Sequence, residues 1–185
     1  MKIEDQKKLN RVKYKSLRDK STSFERQQVK RNVELFLEKK SKEKNFDGYI
    51  AIYWPLQNEV DLRSLKANYS IALPRCNDDK KIDFYIWNES PLIDDFEGIP
   101  APKNDFLLAP KDISLIFAPC LSIDKNFVRL GYGGGYFDKL RGDISWNNIE
   151  CVGVLTAKCV SKDFLPKSSH DIPLSGYITD KEILI

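Results

Sequence analysis

Six short apolar runs between residues 48 and 179 constrain the fold of this chain more than any other feature. The runs are residues 48–54, 70–73, 82–87, 113–118, 151–155 and 177–179. They are rich in Ile, Val, Tyr and Phe, and most are continuous rather than alternating, which is typical of strands covered on both faces. Helical patterns at 59–67 and 135–140 fall between some of them. The order predicts an α/β fold with a mainly parallel sheet flanked by helices on both faces.

Residues 1–44 form a distinct basic part of the chain, with 15 Lys and Arg against 7 Asp and Glu. Leu9, Val12 and Leu17 give a first helix a weak apolar stripe, and Thr22 with Glu25 has capping-box spacing. A second helix follows, with apolar residues at i, i+4, i+7 and i+8, namely Val29, Val33, Phe36 and Leu37. This basic helical pair suits a nucleic acid or a phosphate-bearing small molecule, or it is a solvated charged face.

The length of 185 residues favours one domain over 1–185, with 1–44 as its helical N-terminal part and 45–185 as its sheet-containing core. No apolar run approaches the roughly 20 residues that span a bilayer, and the N-terminus has no apolar segment typical of a secretory signal. We therefore expect a cytoplasmic monomer without membrane contacts. The four cysteines form no CxxC pair and are expected to be free thiols. The single histidine, His170, excludes a zinc site built on several histidines.

Proline follows three of the apolar runs, at Pro55, Pro74 and Pro119. Because proline has no N–H to donate, each is expected to end its strand. Ligands of open α/β sheets bind beyond the carboxyl ends of the strands, which makes the following residues site candidates. These are Gln57, Asn58, Glu59 and Arg75. Residues 88–110 hold four of the nine prolines and are expected to form an extended crossover or lid.

The sharpest local feature is a glycine loop, Arg129-Leu-Gly-Tyr-Gly-Gly-Gly-Tyr-Phe-Asp138, in which residues 131–135 hold four of the nine glycines. Glycine permits positive φ and lets backbone N–H groups close on an anion. Arg129 can donate two parallel hydrogen bonds to phosphate oxygens, and Asp138 can hold Mg²⁺. The loop matches neither a Walker nor a Rossmann signature, so a plain turn is the alternative.

A second candidate lies near the C-terminus, where Asp171 stands in a proline-flanked loop. Asp171 is either a second metal ligand or a turn former. His170 beside it is either a general base or a surface residue.

Together these residues resemble the 5-formyltetrahydrofolate cyclo-ligase family, also called methenyltetrahydrofolate synthetases. The stretch from Ala118-Pro119 through Asp124 to the glycine loop is similar to the family signature almost throughout. Further matches are Lys7-x-x-x-Arg11, Glu59-Val-Asp61, Leu73-Pro74-Arg75, Gly98-Ile-Pro-Ala-Pro102, His170-Asp171 and Ile178-Thr179. They follow one another in the family's order from residue 7 to residue 180.

The resemblance implies an ATP- and Mg²⁺-dependent ligase that cyclises 5-formyltetrahydrofolate, with or without a polyglutamate tail, to 5,10-methenyltetrahydrofolate. The formyl oxygen would attack the γ-phosphate to give an iminophosphate, and N10 of the folate would then displace phosphate. The alternatives are a folate- or nucleotide-binding paralogue without turnover and a nucleic-acid-binding protein. The second is disfavoured because residues 45–185 carry 15 Lys and Arg against 20 Asp and Glu.

The resemblance also implies roles for individual residues. ATP would bind Lys7, Arg11, Arg129, Leu130, Gly131, Tyr132, Gly133, Gly134, Gly135, Tyr136 and Phe137. Folate would bind Trp54, Glu59 and loop residues 132–136, with Glu59 on the pterin. Asp138 and Asp171 would hold Mg²⁺, and Arg129 and Tyr136 would be catalytic. Phe137 stands where the family often has a second tyrosine, so any contact of that hydroxyl is missing here.

Overall fold

A computed structural model describes residues 2–185 apart from 44, 45, 89, 104, 105 and 170. His170 therefore lies outside the described residues. The helices are α1 (Ile3–Asp19), α2 (Ser23–Lys40), α3 (Tyr136–Gly142) and α4 (Ile144–Asn147), and short 3-10 helices span Arg63–Ala67, Pro110–Asp112 and Ala157–Cys159. None of the described helices has the length and apolar character needed to cross a membrane.

The strands are β1 (Tyr49–Ala51), β2 (Ile71–Cys76), β3 (Ile82–Ile86), β4 (Leu92–Asp94), β5 (Pro100–Pro102), β6 (Ile113–Pro119), β7 (Ser122–Ile123), β8 (Arg129–Leu130), β9 (Cys151–Val154), β10 (Gly176–Ile178) and β11 (Ile183–Leu184). Seven of them form the main sheet, in the order β11-β10-β9-β6-β1-β2-β3. The five inner strands run parallel, whereas β3 and β11 pair antiparallel at the two edges. The pairs β4–β5 and β7–β8 form separate antiparallel ribbons.

Both faces of the main sheet are covered, as the continuous apolar runs predict. In β6, Leu115 and Phe117 belong to the core that contains α2, and Ile116 and Ala118 belong to the core that contains Leu140 of α3. All four β6 side chains are fully buried. The predicted α/β class, with a mainly parallel sheet and helices on both faces, is confirmed.

The predicted basic helical pair is present, and α2 begins as its sequence indicates. Thr22 Oγ1 accepts the Glu25 N–H at 3.1 Å, and Glu25 Oε2 accepts the Thr22 N–H at 2.7 Å. This reciprocal capping box satisfies two N–H groups that a helix start leaves open. The predicted apolar residues of α2, namely Val29, Val33, Phe36 and Leu37, are buried against the sheet.

The apolar stripe predicted for α1 is wrong. Leu9 is 60% exposed and Val12 is 72% exposed, whereas Leu17 is half-buried. The inward face of α1 instead has the spacing i, i+4, i+7 and i+11, and it consists of Lys7, Arg11, Tyr14 and Arg18. Hydrophobicity could not identify this face, because its cationic side chains pack against polar groups around a cavity rather than against a core.

Proline ends β6 at Pro119, as predicted, but it does not end β2. That strand continues to Cys76, with Pro74 opposite Phe84 of β3. The missing N–H of Pro74 leaves no gap in the ladder, because β1 pairs with β2 only at Ile71 and Ala72. Pro74 therefore lies beyond the part of β2 that has a neighbour on both sides.

Two further segments differ from expectation. The predicted helix at 59–67 is the 3-10 helix Arg63–Ala67, which begins where Asp61 Oδ1 accepts the Arg63 N–H at 3.0 Å. Residues 88–110 are not only the predicted extended crossover or lid, because they contain the β4–β5 hairpin. This hairpin is hydrogen-bonded to the end of β2. There the Cys76 N–H donates to Asp95 Oδ2 at 2.9 Å.

The four cysteines are free, as predicted.

Candidate active site

A cavity of about 380 Å³ opens beyond the carboxyl ends of β1 and β6. It is lined by α1, the loop after β1, the glycine loop, the β4–β5 turn and the loop before β10. All fifteen site residues implied by the family resemblance line it: Lys7, Arg11, Trp54, Glu59, Arg129, Leu130, Gly131, Tyr132, Gly133, Gly134, Gly135, Tyr136, Phe137, Asp138 and Asp171. The other candidates that follow a proline, namely Gln57, Asn58 and Arg75, do not line it, and Arg75 packs its guanidinium over the Tyr85 ring.

Lys7 and Asp171 form an ion pair at one end of the cavity. Lys7 Nζ lies 2.6 Å from Asp171 Oδ2, and the two side chains are 10% and 11% exposed. The same carboxylate oxygen accepts the Ser168 N–H at 2.6 Å and the Ser168 hydroxyl at 2.8 Å. Burial acts to raise the pKa of Asp171, but the Lys7 and Ser168 hydrogen bonds outweigh it and lower that pKa below its usual value. Asp171 is therefore an ionised acceptor that fixes Lys7.

The glycine loop lies directly against Arg11. Arg11 Nε donates to the Gly131 carbonyl at 3.1 Å. Gly133 has φ +106°, and a Cβ at this position would lie 3.3 Å from the Arg11 guanidinium carbon. Gly135 also has a positive φ, +79°, at the start of α3. The glycines thus allow both the left-handed backbone and the close approach of a cation.

Arg129 is held in place from two sides. Its Nη1 donates to the Pro119 carbonyl at 3.1 Å, and its Nη2 donates to Asp138 Oδ1 at 3.2 Å. The guanidinium also lies 5.0 Å from the centre of the Phe137 ring. Only 9% of the Arg129 side chain is exposed, so this cation is ordered before any ligand arrives.

Glu59 and Tyr132 line the cavity after β1 and within the glycine loop. The Tyr132 hydroxyl donates to Glu59 Oε1, and the Leu56 N–H donates to Oε2 at 2.8 Å. Burial raises the pKa of Glu59, and these hydrogen bonds oppose that rise. Burial also raises the pKa of Tyr132, so its hydroxyl stays protonated and donates. Trp54 provides an apolar wall beside them, with the Trp87 ring centre at 6.3 Å.

Two charged residues that sequence reasoning missed hydrogen-bond to tyrosines of the glycine loop. Glu97, in the turn of the β4–β5 hairpin, lines the cavity and accepts a hydrogen bond from the Tyr136 hydroxyl. That hydrogen bond raises the pKa of Tyr136, which keeps the phenol protonated. Arg18, which does not itself line the cavity, donates to the Tyr132 hydroxyl. Glu97 had no signal in the sequence, whereas the spacing of Arg18 from Lys7 and Arg11 could have indicated it.

The donor set of the cavity fits a hard divalent cation. Asp138 and Asp171 both line it, and carboxylate oxygens are the ligands that Mg²⁺ prefers. Within the described part of the chain, no group of three or more His, Cys, Asp or Glu could hold a metal ion alone. Mg²⁺ commonly binds one or two carboxylates together with substrate phosphates, so two are enough.

A model of the 5-formyltetrahydrofolate cyclo-ligase family matches residues 3–180 of this chain. The chain belongs to this family. A cyclo-ligase of the family from Haemophilus influenzae is 25% identical over an alignment of 178 residues, and the match covers 89% of this chain and 92% of that protein. The one from Mycoplasma genitalium is 27% identical over an alignment of 138 residues, and the match covers 72% of each chain. The resemblance drawn from the motifs is confirmed, and so is the prediction of a ligase.

Solved structures of the cyclo-ligase family share the fold. The 5,10-methenyltetrahydrofolate synthetase of Aquifex aeolicus, determined by NMR, matches with a TM-score of 0.77 at 25% identity and covers 96% of this chain and 91% of its own. The synthetase of Mycoplasma pneumoniae matches with a TM-score of 0.71 at 23% identity, covering 94% and 98%.

Proposed function

We propose that the chain cyclises 5-formyltetrahydrofolate to 5,10-methenyltetrahydrofolate, using ATP and Mg²⁺ and releasing ADP and phosphate. Family membership supports the folate reaction. One observation carries the proposal: a single cavity is lined both by groups that suit phosphates and by groups that suit a pterin. The first are Lys7, Arg11 and the glycine loop, and the second are Glu59 and Trp54. The donor and the acceptor of a phosphoryl group can therefore meet there.

The proposed reaction consists of two displacements. The formyl oxygen attacks the γ-phosphorus of ATP, the bond to the bridging oxygen breaks, and ADP leaves with its electron pair. The resulting iminophosphate has an electrophilic carbon, which N10 of the folate attacks. Phosphate leaves with its electron pair and N10 loses its proton, so the methenyl bridge carries the positive charge. Both displacements depend on alignment and charge neutralisation rather than on a protein nucleophile.

At the phosphate end, cations from two elements would neutralise the triphosphate. Lys7 and Arg11 extend from α1, and Arg129 extends from β8, while loop residues 130–137 offer backbone N–H groups. The pairing of Lys7 with Asp171 and of Arg129 with Asp138 supports this role, because preorganised charges stabilise a transition state without reorganising. We assign Arg129 the catalytic task of meeting the charge on the transferred phosphoryl group.

Asp138 and Asp171 are the residues that would hold Mg²⁺. The bound ion would neutralise phosphate oxygens and polarise the γ-phosphorus towards attack. Each carboxylate also pairs with a cation of this chain, Asp171 with Lys7 and Asp138 with Arg129. The same two residues therefore hold these cations in place before ATP binds.

At the folate end, Glu59 would accept N–H groups from the amino-pyrimidine edge of the pterin. Trp54 would form the apolar wall, and loop residues 132–136 would face both ligands. Tyr136, the first residue of α3, would be catalytic by orienting the formyl group, since its phenol is protonated and can donate a hydrogen bond. The folate end thus selects the substrate, and the phosphate end activates it.

We also propose that residues 1–185 act as one domain and as a monomer. In support of one domain, Lys7 and Arg11 of the N-terminal part line the same cavity as residues of the sheet-containing core. A separable N-terminal module would leave the phosphate end of the site without two of its three cations.

An absorbance assay tests the proposed function. Purified protein is mixed with 5-formyltetrahydrofolate, ATP and Mg²⁺, and the near-ultraviolet band of the methenyl product is followed. We expect a rise that requires ATP and metal together. A flat trace from folded protein that still binds ATP would favour the non-catalytic paralogue. Steeply salt-dependent binding to DNA or RNA would favour the nucleic-acid-binding alternative.

The Glu59→Gln substitution tests the pterin assignment. We expect folate binding to weaken roughly 10- to 100-fold, because hydrogen bonds to a charged acceptor contribute about 1.5–3 kcal/mol. ATP binding should be unchanged. Isothermal titration of each ligand measures both effects. Glu150→Gln is the control, since Glu150 is another partly buried glutamate with a fixed partner, Lys40 at 2.8 Å, but it does not line the cavity. Equal losses for folate and ATP would contradict the assignment.

A further inference from the structure

Arg18 is a buried cation that the proposed reaction does not use. Only 8% of its surface is exposed, although it lies one residue before the end of α1. It shares the inward face of α1 with Lys7 and Arg11, but it is not among the residues lining the main cavity. Burying a guanidinium is unfavourable unless its charge and its N–H groups find partners. The partners of Arg18 therefore indicate what this position does.

Hydrogen bonds from Arg18 run in two directions, and both lead to Glu59. On one side, Nη1 donates to the Tyr132 hydroxyl, which itself donates to Glu59 Oε1. On the other side, Nε and Nη2 donate to Asp19 Oδ1 at 3.3 and 3.1 Å. Asn58, the residue before Glu59, donates to the same Asp19 oxygen at 3.2 Å. The five residues form a closed ring that joins α1, the glycine loop and the loop after β1.

The Asn58 link is informative because of its backbone. Asn58 has φ +65°, in the left-handed region, which asparagine adopts more readily than most other residues with a side chain. The Asp19 contact holds Asn58 from α1, and the direction of the next residue, Glu59, depends on it. Arg18 thus fixes the carboxylate of Glu59 through Tyr132 and the backbone before it through Asp19.

We infer that Arg18 is a positioning residue that aims the Glu59 carboxylate at the N–H edge of the pterin, acting through Tyr132 and through Asp19 and Asn58. The inference rests on the proposed function and deepens it. Arg18 contacts neither ligand. It makes folate recognition depend on α1, the same helix that brings Lys7 and Arg11 to the phosphate end. The charge of Arg18 also opposes the rise that burial causes in the pKa of Glu59, which favours an ionised acceptor.

The geometry requires arginine rather than any cation. The planar fork of a guanidinium reaches the Tyr132 hydroxyl and the Asp19 carboxylate at once, whereas a lysine ammonium is a compact point charge. Arg18→Lys should keep the charge but lose one branch of the ring. Arg18→Met should lose both branches while the apolar stem still fills the space.

The test is a calorimetric titration of 5-formyltetrahydrofolate and of ATP, each alone, into wild type and variants. We expect the folate dissociation constant to rise roughly tenfold in Arg18→Lys, which loses one branch of the ring, and roughly 30-fold or more in Arg18→Met, which loses both, because both branches are hydrogen bonds that involve charged groups. The ATP dissociation constant should stay within about twofold of wild type, since the phosphate end is untouched. The matched control is Arg31→Met, because Arg31 is an exposed arginine on α2.

A double-mutant cycle with Tyr132→Phe tests the route of the effect. If Arg18 acts through Tyr132, the Arg18→Lys/Tyr132→Phe double variant should lose much less folate affinity than the two single losses combined. Fully additive losses would overturn the route. Parallel losses of folate and ATP affinity, with a lowered melting temperature, would make Arg18 merely structural.

Two outcomes separate this inference from the proposed function. A wild-type chain that binds no folate would overturn both. Folate binding by wild type that Arg18→Lys leaves unchanged would overturn only the inference. Arg18→Lys and Tyr132→Phe keep the test decisive if Arg18→Met does not fold, because the lysine keeps the charge, the phenylalanine removes only the hydroxyl, and both leave the buried volume largely filled.

Discussion

Replacing Arg129 with alanine is expected to lower turnover by roughly 10²–10³-fold, which corresponds to about 3–4 kcal/mol of transition-state stabilisation. The guanidinium is already fixed by the Pro119 carbonyl and by Asp138, and Phe137 lies beneath it. Because this order exists before ATP binds, Arg129 can meet developing charge without first reorganising. Alanine removes both the positive charge and the paired N–H donors of the guanidinium. The turnover number is measured from the methenyl absorbance at saturating ATP and folate.

Arg141→Ala is the control for loss of folding. Arg141 is similarly buried, but its Nη1 donates to the backbone carbonyls of Trp146 and Ile149, at 3.2 and 3.0 Å, and it does not line the cavity. We expect Arg141→Ala to lower the melting temperature and to leave the turnover per folded molecule unchanged. Arg129→Lys should recover only part of the lost rate, because lysine restores charge without the fork. A near-normal turnover number in Arg129→Ala would contradict the catalytic role and would mean that Arg129 only holds the glycine loop in place.

The sheet could be predicted from the sequence because its strands are buried on both faces. A continuous run such as 113–118 has no polar face, so it must lie between two cores, and Phe117 and Ala118 do belong to different cores. The glycine loop could be found for a similar reason. Four glycines within five residues are needed only where a backbone takes positive φ or lies close to other groups, and Gly133 does both.

The inward face of α1 could not be predicted in the same way. Apolar periodicity assumes that the buried face of a helix meets a core, which holds for α2 and fails for α1. A lysine or arginine on a helix is usually solvated, so neither charge nor periodicity separated Arg18 from the many cations around it, and Lys7 was identified only through the family resemblance. What distinguishes Arg18 is a set of partners from distant positions, Tyr132 above all. Glu97 is a similar case, since only the tertiary fold brings the β4–β5 turn to Tyr136.

The second large effect is expected for Asp171→Asn. Asparagine keeps an acceptor for Ser168 but removes the charge that pairs with Lys7 and the charge that would bind Mg²⁺. We expect kcat/KM for ATP to fall roughly 100-fold and the half-saturating Mg²⁺ concentration to rise roughly tenfold, the range for losing metal-site partners. Steady-state rates at varied ATP and Mg²⁺ measure both. Asp180→Asn is the control, because Asp180 accepts the Ala157 N–H away from the cavity.

The ligand-free stability of the same variant tests the charge of Asp171 without reference to catalysis. The Lys7 and Ser168 hydrogen bonds outweigh burial and lower the pKa of Asp171 below its unfolded value of about 3.9. Ionised Asp171 therefore stabilises the fold above about pH 4, and this contribution is lost as the pH falls through the lowered pKa. Urea unfolding should show wild type more stable than Asp171→Asn by on the order of 1 kcal/mol at pH 7, with the difference shrinking at pH 3. A difference independent of pH would mean that packing, rather than the Lys7 ion pair, accounts for the loss.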